Sequence, residues 1–495
     1  MSRTPTSREG PPSAGAPPPP LHGPGAGLRD GLLAAGIFAF ALVLIMGTTR
    51  DLGFNRDETF YHHYAKVYGS WLLDLAETRD PAVRERLLSK AEVERVWSQN
   101  YEHPPLMKVL FGLSWRIFGE KKREVRFLDR RVLRIQGLDR PHGFDEGDQV
   151  DILRPLTVGE EHDAADRVAG TATITRRTRG EAMATILEWR PEEDPLAICA
   201  SPPDEGLVPR HMGGCMARTT GSLQILSESD AFRLPGALCG ALLVALLYLF
   251  ALGFTGRGGA LVSALALLFV PRAFFHMHLT CFDIPITFFG FATLVAFWKA
   301  ERGGGLRWAL VTAVLWGLAL LVKLNAFFLP VTLGLYWLAT LRGRLRKIRP
   351  LPFSVPAIPP AFFLMALVGP LMLYLLWPVL WYDPVRSFGR YLAFHLGHEH
   401  YYQSYFGQAL GAPPFPVTFP FVMTLLTVPV PPLALFLTGA VRTALPWRVD
   451  PAAAVAVSRR RWFLAVNALF PIGLIALPST PVFGGVKHWL LTMPF

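Results

Sequence analysis

The sequence has few charged residues for its length. Only 18% of its 495 residues are charged, whereas 51% are hydrophobic. A soluble globular protein carries about 25% charged residues, so this composition argues against an ordinary soluble fold. The apolar residues collect in runs that approach the roughly 20 residues a helix needs to cross a bilayer. We predict about nine membrane-spanning helices, near residues 31–48, 234–254, 258–275, 284–299, 306–322, 325–341, 357–378, 417–441 and 461–477.

Cysteine and internal repetition are also scarce. The chain has four cysteines, with Cys239 inside a predicted span and Cys281 at the outer rim of another. Cys199 and Cys215 fall in a predicted extracytoplasmic segment, where a disulfide is permitted, and a pair of free thiols is equally compatible with the sequence. We find no internal repeat, a feature that many secondary transporters have.

The formal net charge of +11 is explained by where the basic residues lie. If the first span runs outward, the connections on the starting side are basic, which is the pattern of short cytoplasmic loops. The charge therefore predicts topology in a cytoplasmic (inner) membrane, and no nucleic-acid partner. The basic residues of these connections are Arg257, Lys299, Arg302, Arg307, Arg342, Arg344, Arg346, Lys347, Arg349, Arg442, Arg448, Arg459, Arg460 and Arg461, with Arg3, Arg8 and Arg29 before the first span.

Composition divides the chain into four parts. Residues 1–28 are rich in Pro, Gly and Ser and predict a disordered cytoplasmic tail. Residues 29–119 hold the first span, an uncleaved anchor, and an outer loop with surface helices. Residues 120–230 contain short stretches of alternating apolar and polar residues, which predict an inserted β-rich extracytoplasmic domain. Residues 231–495 form the transmembrane core, and an end so soon after an outer segment leaves its C-terminal completeness open.

The first outer loop holds two groups of residues that can carry chemistry. Asp57 and Glu58 follow the first span closely, and a carboxylate there can accept a proton from an attacking hydroxyl. Residues 102–106 read Glu-His-Pro-Pro-Leu; the Pro pair opens a helix, near whose start His103 lies, and Lys108 adds a cation. Glu102, His103 and Lys108 can together bind a phosphate. The alternatives are a solvated loop and a capped helix end.

Other ionisable residues lie at predicted outer ends of spans. Arg233 opens the second span, where a snorkelling arginine is the alternative, and Asp283 opens the fourth. Lys323 separates the fifth span from the sixth. Ionisable residues at such depth are usually functional. Lys487 and His488, near the end of the chain, can approach an anionic headgroup or cap the last loop.

A histidine-rich loop predicts no metal site. His395, His398 and His400 accompany Glu399, but their spacing does not place all three rings on one helical face, and no cysteine is nearby. A polar outer loop is the better interpretation.

Four motifs in order carry a resemblance to a known family. They read Asn55-Arg56-Asp57-Glu58-Thr59-Phe60-Tyr61, Glu102-His103-Pro104-Pro105-Leu106-Met107-Lys108, Phe118-Gly119 and Phe232-Arg233-Leu234-Pro235. The order resembles the polyprenyl-phosphate-dependent glycosyltransferases of the GT-C fold, among them the protein O-mannosyltransferases and the lipid A aminoarabinose transferases. The resemblance covers residues 50–120 and 231–495 and implies an α-helical polytopic fold.

The resemblance implies roles for these residues. Asp57 and Glu58 would be the catalytic residues, Asp57 as the base toward an acceptor hydroxyl and Glu58 as a support for the acceptor or donor site. The remaining candidates would bind the substrates: Glu102, His103, Lys108, Arg233, Asp283, Lys323, Lys487 and His488. The donor would be a polyprenyl-phosphate-linked sugar and the acceptor a protein, lipid or glycan, with no metal required and with inversion at the sugar.

Two other function classes stay open at this stage. One is a transporter or flippase of a lipid-linked substrate, and the other is an inactive membrane scaffold that displays the β-rich domain. The candidate residues gather at one predicted membrane face, which favours surface chemistry over transport. The inserted domain at 120–230 is not explained by the resemblance.

Overall fold

The computed structural model is mostly helical, with a β-rich part between Lys122 and Thr219. It describes residues 27–136, 144, 146–154, 168–178, 181–192, 194–199, 215–219, 223–347, 354–397, 401–445, 451–482 and 484–495. Most of the predicted tail (1–26) and His398, Glu399 and His400 lie outside the described residues.

The helices follow the apolar runs of the sequence. They are α1 (Leu28–Thr48), α2 (Arg56–Glu77), α3 (Pro81–Leu88), α4 (Lys90–Trp97), α5 (Leu106–Phe118), α6 (Pro195–Ile198), α7 (Glu228–Leu268), α8 (Pro271–Met277), α9 (Asp283–Lys299), α10 (Gly305–Leu320), α11 (Leu329–Ala339), α12 (Pro360–Leu376), α13 (Pro384–Leu396), α14 (Phe419–Thr427), α15 (Val430–Ala444) and α16 (Pro451–Ile475). Short 3₁₀ segments include Thr49–Asp51, Leu324–Phe328, Pro378–Leu380 and Gly485–Thr492.

Three helical stretches of the described chain are long and apolar enough to cross a membrane: Leu28–Thr48, Glu228–Leu268, which is kinked at Gly256, and Asp283–Leu320, which joins α9 and α10 through a non-helical turn at Arg302 and Gly303. Shorter apolar helices occupy Leu324–Ala339, Pro360–Leu376 and Val430–Arg442. These helices support a membrane protein, and the count of nine spans stays a prediction.

Two of the predicted spans are wrong as continuous helices. The span predicted at 258–275 breaks after Leu268, and the one at 417–441 divides into α14 and α15. In both cases the residue before a proline, Val270 or Val428, has extended backbone angles. Proline sterically disfavours helical angles at the residue that precedes it, so each helix ends there.

The helices place the candidate residues at one end of the bundle. α1 and α7 run antiparallel: Asp30 at the start of α1 pairs with Arg257, whereas Thr49, directly after α1, accepts a hydrogen bond from Arg233 near the start of α7. Asp283 at the start of α9 pairs with Lys323, just after α10. We call the end that holds Arg233, Asp283 and Lys323 the site end. Arg257 lies at the opposite end.

The outer loop packs against this end through α2 and α5. The two helices approach so closely that a Cβ on Gly112 would collide with the backbone of Ala65. α5 in turn contacts α7, where Ser114 Oγ donates to the carbonyl of Ala231 at 2.5 Å. The loop between α1 and α7 is therefore anchored on the bundle.

The β-rich part is a closed antiparallel barrel. Its strands are β1 (Lys122–Phe127), β2 (Val132–Gln136), β3 (Gln149–Leu153), β4 (Val168–Arg177), β5 (Glu181–Trp189) and β6 (Met216–Thr219), in the order β1-β2-β5-β4-β3-β6. The interior holds alternate residues such as Leu133, Ile135, Val150 and Ile152. Cys199 and Cys215 form a disulfide beside this core, which answers the alternative that the sequence left open.

Two adjacent chain segments connect the barrel to the helical bundle. Gly119 and Leu226 form a parallel bridge, with Glu120 N donating to Leu226 O at 2.9 Å. The chain thus enters the barrel from the end of α5 and returns directly to the start of α7, which attaches the barrel at the site end. Two hairpins complete the described strands: β7 (Leu345–Lys347) with β8 (Ser354–Pro356), and β9 (Gln403–Tyr405) with β10 (Gln408–Leu410).

Candidate functional site

The two adjacent carboxylates of the first outer loop have opposite surroundings. Asn55 caps α2, and its side chain accepts a hydrogen bond from Asp57 N. Glu58 turns back and accepts from Asn55 N at 2.9 Å, completing a capping box. As a result Glu58 is 1% exposed, whereas Asp57 in the same helical turn is exposed. Only Asp57 can meet a substrate without a rearrangement of the loop.

Glu58 forms a buried, bidentate ion pair with Arg233. The Nε and Nη2 atoms of Arg233 each lie 2.9 Å from a Glu58 carboxylate oxygen. The other three N–H groups donate to backbone carbonyls at 3.0–3.2 Å, those of Thr49, Leu52 and Gly53. A guanidinium has five N–H donors, so every donor of Arg233 has an acceptor. The pair fastens the end of α1 and the start of α2 to α7.

Glu58 also holds the turn between α8 and α9, because its Oε1 accepts from Thr280 N at 2.9 Å. Burial raises the pKa of Glu58, but the hydrogen bonds from Arg233, Asn55 N and Thr280 N outweigh burial and hold the pKa below its ordinary value. Glu58 is therefore an ionised carboxylate with four donors around it. This geometry suits a positioning role better than the substrate contact predicted for Arg233 and the catalytic role predicted for Glu58.

Asp283 and Lys323 form a second buried ion pair at the site end. Lys323 Nζ lies 2.6 Å from Asp283 Oδ1, and His276 Nδ1 lies 3.5 Å from Oδ2. Lys487 is near enough for its charge to act on both His276 and Asp283. His488 follows it, and its carbonyl accepts from Asn325 at 3.4 Å. The structure thus brings Asp283, Lys323 and Lys487 together, as the sequence analysis predicted for one face.

An aromatic cluster lies beside the turn that carries Thr280 and Asp283. Phe282, in the same turn as Thr280, packs its ring 4.7 Å from that of Tyr61 and 4.3 Å from that of His103. Tyr61 lies one helical turn after Asp57, and its hydroxyl is 3.2 Å from His103 Nε2. The Nδ1 atom of His103 is buried and has no hydrogen-bond partner within the described part of the chain. His103 therefore has a polar atom left for a ligand.

Both partners of this hydrogen bond are neutral at physiological pH. Burial raises the pKa of Tyr61 well above its ordinary value, and the negative charges of Asp57 and Asp283 add to the effect. Burial lowers the pKa of His103, and the positive charges of Lys323 and Lys108 lower it further. A neutral phenol and a neutral imidazole can each donate or accept one hydrogen bond toward a sugar.

We call the contacting side chains of Tyr61 and His103 the Tyr61–His103 layer. Lys108, in α5 five residues after His103, is buried. Its Nζ donates to Asn100 O at 2.6 Å and lies 4.5 Å from the centre of the Tyr68 ring. Burial lowers the pKa of Lys108 to about 7, against the opposing charge of Glu102. Glu102 accepts from the Asn100 side chain, and its carbonyl lies 3.1 Å from His395 Nε2. Lys108 and Glu102 thus hold the loop that presents His103, and their predicted contact with a phosphate stays a prediction.

Sequence reasoning missed four contributors: Tyr61, His276, Thr280 and Phe282. Only Tyr61 carried a local signal, because it lies one turn beyond Asp57 on the same helix. Thr280 and Phe282 gain their importance from pairings between distant segments, such as Thr280 with Glu58, which no spacing in the sequence reveals. His276 contacts Asp283, seven residues later in the same segment.

A comparison with known proteins adds one finding. Residues 219–374, about a third of the chain, match the model of a family described as dolichyl-phosphate-mannose-protein mannosyltransferase. The match supports a membrane glycosyltransferase of the GT-C type, and it includes Arg233, Asp283 and Lys323 but neither Asp57 nor His103. No curated protein and no solved structure matches the chain.

Proposed function

We propose that this protein is a membrane glycosyltransferase that moves a sugar from a polyprenyl-phosphate donor to the hydroxyl of an acceptor at the site end of its helices. One observation carries the proposal: an exposed carboxylate, Asp57, lies one helical turn from Tyr61, which contacts His103, and the charge of the partly buried Lys323 reaches His103. The family match over Arg233, Asp283 and Lys323 supports the same chemistry.

The reaction needs one base and a cation. Asp57 takes the proton of the acceptor hydroxyl, whose oxygen attacks C1 of the sugar. The bond between C1 and the phosphate oxygen breaks, and its electron pair leaves with the polyprenyl phosphate. Lys323, assisted by Lys487, stabilises the negative charge of the departing phosphate. Attack opposite the phosphate inverts the anomeric centre. The acceptor is a protein, lipid or glycan.

The other residues position the reactants. Glu58 and Arg233 fix the start of α2, so that Asp57 stays at a constant place relative to α7 and α9. Tyr61 is near enough to the charge of Asp57, and His103 to that of Lys323, for each charge to act on the ring, and both neutral side chains can hydrogen-bond the donor sugar. Alignment of base, acceptor and donor is itself worth several orders of magnitude in rate.

The test is sugar transfer by the purified full chain. Radiolabelled polyprenyl-phosphate sugars and a membrane extract are supplied, and labelled product is measured. Asp57→Asn should lower the rate by about 10²–10⁴-fold, because it removes a general base. Asp51→Asn, which neutralises another exposed carboxylate of the same loop, should leave the rate within about twofold. Equal rates for Asp57→Asn and the wild type would refute the assignment of the base. A wild type that transfers none of the sugars would favour the scaffold.

The proposed face is extracytoplasmic, because the basic residues lie at the opposite end. Single cysteines placed at exposed positions test this: Arg131→Cys on the barrel and Arg307→Cys at the start of α10. A membrane-impermeant thiol reagent should label position 131 on intact cells and position 307 only after permeabilisation. The reverse pattern would place the site in the cytoplasm.

A further inference from the structure

The turn between α8 and α9 brings three different metal-binding side chains together. His276, Cys281 and Asp283 each offer one ligand atom, these atoms all lie within 4.8 Å of one another, and all three residues are buried. The three residues lie within eight positions of one chain segment, so a single turn builds the whole cluster. This cluster is separate from the histidine-rich loop that begins at His395, where the sequence predicts no metal site.

The distances between these atoms suit a shared metal ion better than direct hydrogen bonds. His276 Nδ1 lies 3.5 Å from Asp283 Oδ2 and 4.0 Å from Cys281 Sγ. A nitrogen and an oxygen in a good hydrogen bond are about 2.7–3.2 Å apart. Zinc bonds of about 2.0–2.3 Å in a tetrahedron put the nitrogen roughly 3.3 Å from the oxygen and roughly 3.6 Å from the sulfur. Shifts of a few tenths of an ångström would therefore close the cluster around a zinc ion.

Asp283 can bind a metal without losing its ion pair. Lys323 contacts Oδ1, whereas His276 faces Oδ2, so the two carboxylate oxygens serve separate partners. The thiol of Cys281 now contacts the carbonyl of His276 at 3.8 Å, a weak interaction that a metal–thiolate bond would replace. The positive charges of Lys323 and Lys487 disfavour a further cation at this place. The negative charges of the Cys281 thiolate and the Asp283 carboxylate would offset this repulsion.

We propose that His276, Cys281 and Asp283 bind one Zn²⁺ ion, leaving a fourth coordination position open. Nitrogen, sulfur and oxygen ligands in this set suit zinc among the biological divalent cations, whereas Mg²⁺ and Ca²⁺ prefer oxygen alone. The ion would clip the turn that carries Thr280 and Phe282. It would thereby fix the segment that connects Glu58 with the Tyr61–His103 layer.

The experiment uses Co²⁺ as a spectroscopic substitute for zinc. The full-length chain is purified in detergent, stripped with a chelator and titrated with Co²⁺, without sugar donor or acceptor. A thiolate ligand gives an intense near-ultraviolet charge-transfer band, which should saturate at one ion per chain and disappear when Zn²⁺ is added. Because no transfer reaction is involved, the outcome does not depend on the proposed glycosyltransferase function.

Cys239 supplies a matched control, because it is the other buried free thiol of the described chain and is not one of the three grouped ligands. We expect Cys239→Ser to keep the Co²⁺ band and Cys281→Ser to abolish it. His276→Gln should weaken Co²⁺ binding at least tenfold. Zn²⁺ should raise the thermal midpoint of the wild type but not that of Cys281→Ser, whose metal-free midpoint shows whether that variant folds. A wild type without the band, or a Cys281→Ser protein that retains it, would refute the site.

Discussion

The two buried ion pairs at the site end differ in what their cations can still bind. Arg233 uses all five of its N–H groups on Glu58 and three backbone carbonyls, and its side chain is 3% exposed. Lys323 donates to Asp283 alone within the described part of the chain, and its side chain is 15% exposed. An ammonium has three donors, so Lys323 can still meet an anion. The first pair therefore organises the fold, and the second suits substrate binding.

The two residue types, arginine and lysine, suit these two roles. The planar guanidinium of Arg233 reaches a carboxylate and three carbonyls at fixed angles, which suits a junction of several chain segments. Lys323 is a compact charge on a flexible stem and can adjust to a phosphate that arrives and leaves. An exchange of the two residue types would serve neither position. The predictions below test whether the two pairs really have these separate roles.

The largest expected effect is on stability, from Arg233→Met. The substitution leaves Glu58 charged and buried without its partner, which costs about 3–5 kcal/mol in the free energy of unfolding. Chemical unfolding of the full chain in detergent, followed by tryptophan fluorescence, measures the loss. Arg95→Met is the control, because Arg95 pairs with Glu92 on the surface of α4, and both side chains are partly exposed, at 53% and 22%. That control should cost at most about 1 kcal/mol. Similar losses for both arginines would show that Arg233 is no junction.

The next effect separates activity from stability. In Asp283→Asn/Lys323→Met both charges of the second pair are gone, so no buried charge is left alone, and stability should change by less than about 1.5 kcal/mol. Sugar transfer should fall about 10²-fold, because the cation that faces the departing phosphate is missing.

Lys299→Met, at the far end of α9 where Lys299 contacts Trp308, should leave transfer within about twofold. A double variant at Asp283 and Lys323 that transfers sugar at the wild-type rate would assign the second pair to the fold as well.

The site was predictable from the sequence as a set of residues, but their roles were not. The sequence marked Asp57 and Glu58 as a pair, although it also holds the pattern that distinguishes their roles. Asn55 followed three residues later by Glu58 is a capping box, which turns the Glu58 side chain back into the protein. The pairings of Glu58 with Arg233 and of Asp283 with Lys323 join residues 175 and 40 positions apart. Such contacts depend on how the helices pack, which local patterns do not encode.

The fold, like the site, was predictable only where a local sequence pattern decides the structure. Alternation of apolar and polar residues located β2, β3, β4 and β5, because one face of each strand is buried in the barrel. The strand order that closes the barrel and the Cys199–Cys215 disulfide depend on contacts distant in sequence. Hydropathy located the helices but passed over the breaks before Pro271 and Pro429, which the prolines themselves indicate.

A smaller effect is the loss of stability at low pH. The pKa of Glu58 is lower in the folded protein than its ordinary value of 4.5, so its ion pair contributes stability that is fully present above pH 4.5 and is lost as the pH falls through the folded pKa. Unfolding free energies measured across this window should fall for the wild type. Glu58→Gln/Arg233→Met should show a shallower fall, because its position 58 does not titrate. Parallel curves for the two proteins would mean that Glu58 does not stabilise the fold through its charge.

The smallest effect tests whether the Glu58–Arg233 pair and the Tyr61–His103 layer act separately. Tyr61→Phe removes the hydroxyl that contacts His103 and should cost about 0.5–1.5 kcal/mol of stability. Tyr61 contacts Phe282 and His103, whereas Arg233 contacts Glu58 and the end of α1, so the two side chains share no partner. The losses from Tyr61→Phe and Arg233→Met should therefore add to within about 0.5 kcal/mol in a double-mutant cycle. A larger coupling energy would mean that the 278–282 turn transmits strain between them, and that the junction at Arg233 and the layer at Tyr61 form a single unit.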